Sequence, residues 1–141
     1  RIVEAVCDPD GDWLPAVPVL GVYPTGTHWD DECRRPTDET MSSAWEIAAV
    51  LTSSVASAWL RHRGAGTGLS VDSIRLSPVT LGELPWPGGD LGPAVAAIRD
   101  GDVRSCSAAV AAAYGIDDAR ALEEWWTALL ERIEIRQPST A

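Results

Sequence analysis

The chain has 141 residues, 45% of them hydrophobic, and a formal net charge of −10. That is enough for one domain, or one domain with a small helical appendage, around a genuine core. The acid surplus argues against phosphate binding by the surface as a whole, because DNA affinity rests largely on neutralising phosphates.

No apolar run reaches the roughly 18 to 20 residues that cross a bilayer, so a cytoplasmic protein with no membrane partner is expected. Arg1 opens the chain without the basic flank and apolar stretch of a signal peptide, and a missing upstream portion is the default expectation. Cys7, Cys33 and Cys106 lie far apart and lack the CxxC spacing of a structural zinc site. They read as reduced thiols, with Cys106 buried in a helix.

Over residues 13–23, Leu14, Val17, Val19, Leu20 and Val22 are punctuated by Pro15 and Pro18, the pattern of an edge strand. Residues 24–41 lose all apolar period and read as a long loop. A capping box from Ser43 to Glu46 opens a helix whose stripe runs through Ala44, Ile47, Ala48, Leu51, Val55 and Trp59. Thr52, Ser53 and Ser54 leave two readings open there: one helix to Arg61, or two with a fresh cap.

Next come Arg61, His62 and Arg63, then a loop containing Gly64, Gly66, Thr67 and Gly68, and extended structure around Ile74. Ser77-Pro78 starts a short turn that Pro85 and Pro87 stop, with Trp86 as an anchor between them. From residue 88 onward only helices are expected, over residues 92–99, 102–114 and 117–133. In the last of these Leu122, Trp125, Trp126, Leu129 and Ile133 form the apolar face, while Glu123, Glu124 and Glu131 face water.

The expected architecture is therefore α+β: a small sheet with packed helices over residues 1–87, then a C-terminal three-helix subdomain over residues 88–141. The residues Val50-Leu51-Thr52-Ser53-Ser54, Trp59-Leu60-Arg61, Gly64-Ala65-Gly66-Thr67-Gly68, and Ile74 through Leu84-Pro85-Trp86-Pro87 carry a resemblance. Together they resemble the target-recognition region of adenine-specific DNA methyltransferases, related to the specificity subunits of Type I restriction systems.

Thr52-Ser53 stands where that family usually has Asn-Ser. The tail, with Gly101-Asp102, Ala113-Tyr114-Gly115 and Trp125-Trp126, is similar to the ends of actinobacterial adenine DNA methylases. The resemblance implies a parent protein whose catalytic domain, upstream, supplies an S-adenosylmethionine pocket and an Asn/Asp-Pro-Pro-aromatic motif that grips a flipped adenine. Neither occurs in this sequence, so the fragment is expected to be non-catalytic and to bind no cofactor itself.

The resemblance implies DNA as a partner, with Arg61, His62, Arg63, Gly64, Gly66, Thr67, Gly68 and Arg75 as the candidate contacts. Three arginines against Asp72 make residues 58–76 the best positive stretch of an acidic chain. Arginine and histidine at a helix end also balance the negative end of the helix dipole, with no DNA involved.

The cluster of His28, Asp30, Asp31, Glu32 and Cys33 matches no metal-loop spacing and reads as a solvated acidic loop, with no ligand assigned. Among the tryptophans, those at helical spacing read as core, and Trp29 in the polar loop as the one to inspect for a ligand or partner. The rival reading is an acidic protein-interaction or scaffold domain that packs on a catalytic partner.

Overall fold

One serine divides the central helical stretch in two. Ser53 sits in extended backbone (φ −75°, ψ 160°). Its N–H closes one helix by bonding Val50 O, and its hydroxyl accepts from Ala56 N (3.2 Å) to open the next. The hydroxyl also donates to Val50 O at 2.7 Å. A side-chain cap of this kind contributes about 1 kcal/mol. Of the two readings left open by Thr52-Ser53-Ser54, this computed structural model takes the second.

The structure describes residues 3–10, 12–16, 19–26, 36–64 and 76–134. In chain order the helices are α1 (Asp38–Thr52), α2 (Ser54–Arg63), α3 (Pro78–Gly82), α4 (Gly92–Arg99), α5 (Val103–Ala113) and α6 (Arg120–Glu134).

Helix α1 begins earlier than the capping box at Ser43 suggests. Thr37 caps it by accepting from Thr40 N, and Asp38 and Glu39 in the first turn suit the positive end of its dipole. Residues 38–41, read as loop from the sequence, are therefore helical. The C-terminal helices follow their punctuation more closely. Ser77 caps α3 and Asp102 caps α5 through Ser105 N. Gly101 and Gly115 follow α4 and α5 at φ +79° and +74°, backbone that favours glycine.

The expected small sheet is not there. Among the described residues no sheet forms, and the single bridge assignment, at Pro36, belongs to no strand. The extended segment at residues 13–23 is the main error. Its described parts carry no strand, and Trp13, Leu14, Val19, Val22 and Tyr23 are exposed, Leu14 at 95%. Pro15 and Pro18 offer no N–H to a ladder, and among the described residues no second strand is present to bury the apolar face. The extended structure expected around Ile74 lies outside the described residues.

Among the described residues the core is built from helices and the turns that flank them. Ala49 and Val50 of α1 meet Leu91, Ala94 of α4, and Cys106, Val110 and Ala113 of α5, with Leu84 and Tyr114 packed on the cluster. Small side chains dominate, which lets α1, α4 and α5 approach closely. This one cluster draws on residues from both sides of position 87.

The phrase Leu84-Pro85-Trp86-Pro87-Gly88-Gly89 straps the bundle. Tyr114 donates its hydroxyl to Pro85 O at 2.6 Å, and Gly89 N bonds Ala113 O at 3.0 Å. A Cβ on Gly89 would lie 2.8 Å from Ala113 Cα, so only glycine fits that crossing. Trp86 is not a buried anchor but is exposed.

Candidate functional site

Helix α2 carries the described part of the candidate DNA-contact set on its last turn. Arg61 is half-buried and His62 and Arg63 are exposed, at the end where the helix dipole is negative. Gly64 is buried and closes the helix through its N–H to Leu60 O at 2.8 Å. It is a cap and offers no open backbone at the surface. Gly66, Thr67, Gly68 and Arg75 lie outside the described residues, as does the acidic group from His28 to Cys33 together with Trp29.

Arg61, His62 and Arg63 do not share one fate. The Arg63 guanidinium pairs with Glu83, just after α3, and also lies 5.7 Å from the centre of the Trp59 ring. Its charge is therefore partly spent on holding α2 to α3. Both side chains of the ion pair are about half exposed, so the bond positions more than it stabilises. Trp59 is half-buried beneath that guanidinium. The same arrangement recurs at Arg99 over Trp45, at 5.5 Å.

Arg61 and His62 turn instead toward α6. Together with Ala58 they form one wall of an open cleft of about 560 Å³, whose other wall is Ala121, Leu122 and Trp125. The spacing explains this. Residues 58, 61 and 62 share one face of α2, and residues 121, 122 and 125 share one face of α6.

A buried polar knot fixes the separation of the two walls. Ser54 and Ser107, both fully buried, donate their hydroxyls to Glu123 Oε1 at 2.6 and 2.9 Å. Ser54 N donates in turn to Ser107 Oγ at 2.9 Å. Glu123, expected to face water, thus turns inward and ties α6 to α2 and α5. Beside it Trp126 is fully buried, and its indole N–H has no hydrogen-bond partner.

The hydroxyls of the same helical junction also hold the N-terminal segment. Ala5 N donates to Thr52 Oγ1 and Thr52 Oγ1 donates to Ala5 O, each at 3.3 Å, while Val3 N donates to Ser57 Oγ at 3.2 Å.

The two described cysteines are poor nucleophiles. Burial, then Asp8, raises the Cys7 thiol, with Arg99 opposing. Burial, with help from Asp102, pushes Cys106 up to about 11. A thiol so shifted stays protonated and unreactive near neutrality. No group of three or more metal-ligating side chains occurs among the described residues. Nor do the described residues include a strand-to-helix glycine turn of the kind that seats an adenosyl cofactor.

Compared with known proteins, the chain matches no family model, no curated protein and no solved structure. No described helix is long and apolar enough to cross a membrane.

Proposed function

We propose that this chain is the non-catalytic, DNA-positioning or target-recognition part of an S-adenosylmethionine-dependent adenine-specific DNA methyltransferase. Methyl transfer would belong to a separate catalytic domain, with the cofactor pocket and the grip on adenine. The supporting observation is that the described residues among those carrying the family resemblance act together as a stem. Thr52-Ser53-Ser54 makes the helix junction, α2 runs from it to the cationic turn, and Leu84-Pro85 returns the chain to the core.

Arg63 and Glu83 hold the two sides of that stem together. Arg61 and His62 then stand at its tip, from which the glycine-rich stretch continues. This gives an acidic protein a local cationic end, which is where its contact with phosphate would be made.

The test is DNA binding by the chain across a range of ionic strength. Arg61→Ala should weaken binding similarly for unrelated sequences and reduce the logarithmic salt slope by about 0.9 per phosphate contact. Arg63→Ala should change the slope less, because its guanidinium is already engaged by Glu83. Unchanged affinity and slope in the Arg61→Ala, Arg63→Ala double variant would overturn the proposal.

A second reading has one specific observation in its favour. Trp13, Leu14, Val19 and Tyr23 expose large apolar surface on an otherwise acidic chain. Residues of that kind suit docking on another protein, such as the catalytic domain itself.

A further inference from the structure

We infer that the α2–α6 cleft receives one unpaired nucleotide, its base against Trp125 and Leu122 and its phosphate against Arg61 and His62. The inference rests on the DNA-contacting reading above and gives that site a specific ligand. It combines three features of the cleft.

The first is shape. Ala58 from α2 and Ala121 from α6 contribute only methyl groups to the lining. The resulting volume, about 560 Å³, falls within the roughly 300 to 1,000 Å³ of small-molecule sites. It is room for one nucleotide.

The second is chemistry. The lining pairs a half-buried indole with a guanidinium and an imidazole from the facing helix. An aromatic face is what a base needs once it leaves the stack, and a cation is what its phosphate needs. Among the described residues neither Arg61 nor His62 makes an ion pair, unlike Arg63, Arg104 and Arg120.

The third is charge. A chain with a net charge of −10 repels a long polyanion laid over its surface. A single nucleotide held at one cationic tip requires only local neutralisation. An acidic peptide would meet the same charge at the rim, but its carboxylate side chains offer no aromatic face for Trp125.

The experiment is a titration of the 141-residue chain with a single-stranded oligothymidine and with a duplex of mixed sequence, at low salt. Backbone amide and indole N–H chemical shifts report binding even at millimolar affinity. The single strand should shift the Trp125 indole together with Ala58, Arg61 and Ala121, and bind more tightly than the duplex. Trp125→Ala should weaken single-strand binding roughly ten-fold, with Trp125→Phe retaining most of it, since stacking needs an aromatic face. Arg61→Gln should lower the single-strand salt slope by about 0.7. Circular dichroism identifies any variant that merely fails to fold, and the Phe variant keeps the comparison valid.

Binding of duplex and single strand alike, sensitive to Arg61 and indifferent to Trp125, would overturn the nucleotide site and leave the DNA-contact reading standing. No shift with either nucleic acid would overturn both. If a short acidic peptide produced the Trp125 shifts and oligothymidine did not, the cleft would be a protein-docking site.

Discussion

Glu123→Ala is the most informative single change in this fold. The carboxylate accepts two hydroxyls, from Ser54 and Ser107, both fully buried. A hydrogen bond to a charged group contributes about 1.5 to 3 kcal/mol. Two such bonds would give about 3 to 6 kcal/mol, but Glu123 is only partly buried, and water can reach the vacated side. Ser107 Oγ also keeps the Ser54 N–H as a donor.

The expected loss is therefore about 2 to 3 kcal/mol, with Glu123→Gln losing less because its amide oxygen still accepts. The assay is urea denaturation followed by circular dichroism and tryptophan fluorescence, read as a shift of midpoint at constant slope. A cycle with Ser107→Ala should show coupling of about 1 kcal/mol or more, as for residues in one network. A loss under about half a kcal/mol, the usual surface range, or strict additivity with Ser107→Ala, would refute the knot. The α2–α6 cleft would then lose the support that sets its width.

Other perturbations test separate parts of the argument. Gly89→Ala drives a methyl group against the Ala113 backbone, 2.8 Å from its Cα, and should destabilise by about 1 to 3 kcal/mol; an unchanged melting temperature would mean that the strap is loosely held. Hydrogen bonds from Ser105 hold the Asp102 carboxyl below its usual range, so its stabilisation is present above the ordinary aspartate pKa and lost as pH falls through the lower folded value. Asp102→Asn should therefore flatten the acid limb of the stability curve relative to wild type, in a window shared with Asp118, which Arg120 also lowers; an identical acid limb would contradict this. Cys106, pushed up to about 11, should destabilise the fold as pH rises from its ordinary thiol value toward that folded value. In a Cys7→Ser, Cys33→Ser background it should resist iodoacetamide at about pH 8 until the protein unfolds, and rapid labelling of the folded chain would show that it is accessible.

Helix ends marked by local chemistry were legible in the sequence. Ser77-Pro78, Asp102 and the glycines at 101 and 115 each act within one turn of themselves, so no tertiary knowledge was needed. The Thr37 cap was missed: residues 24–41 show no apolar period and read as loop, although Asp38 and Glu39 after Thr37 suit a helix start.

The sheet was misread because alternation at residues 13–23 looks the same whether or not a partner strand exists. Burial of that face depends on the rest of the fold. Glu123 shows the same limit: its spacing on α6 suggests solvent, and only Ser54 and Ser107, distant in sequence, turn it inward. For the candidate site, the cationic turn at Arg61 and His62 was visible in the chain, whereas Trp125 across the cleft was not, since its place depends on how α6 docks.

The Arg63–Glu83 contact, with α3 packed beside α2, latches a five-residue helix that buries no residue of its own. A helix so short is marginal in water by itself, so its persistence depends on what it leans against. What holds α3 is a half-exposed ion pair and the Ser77 cap, and salt screens the first of these far more than it weakens apolar packing. α3 is therefore the part of the bundle set to open first as salt or denaturant rises, while the cluster from Ala49 to Ala113 holds.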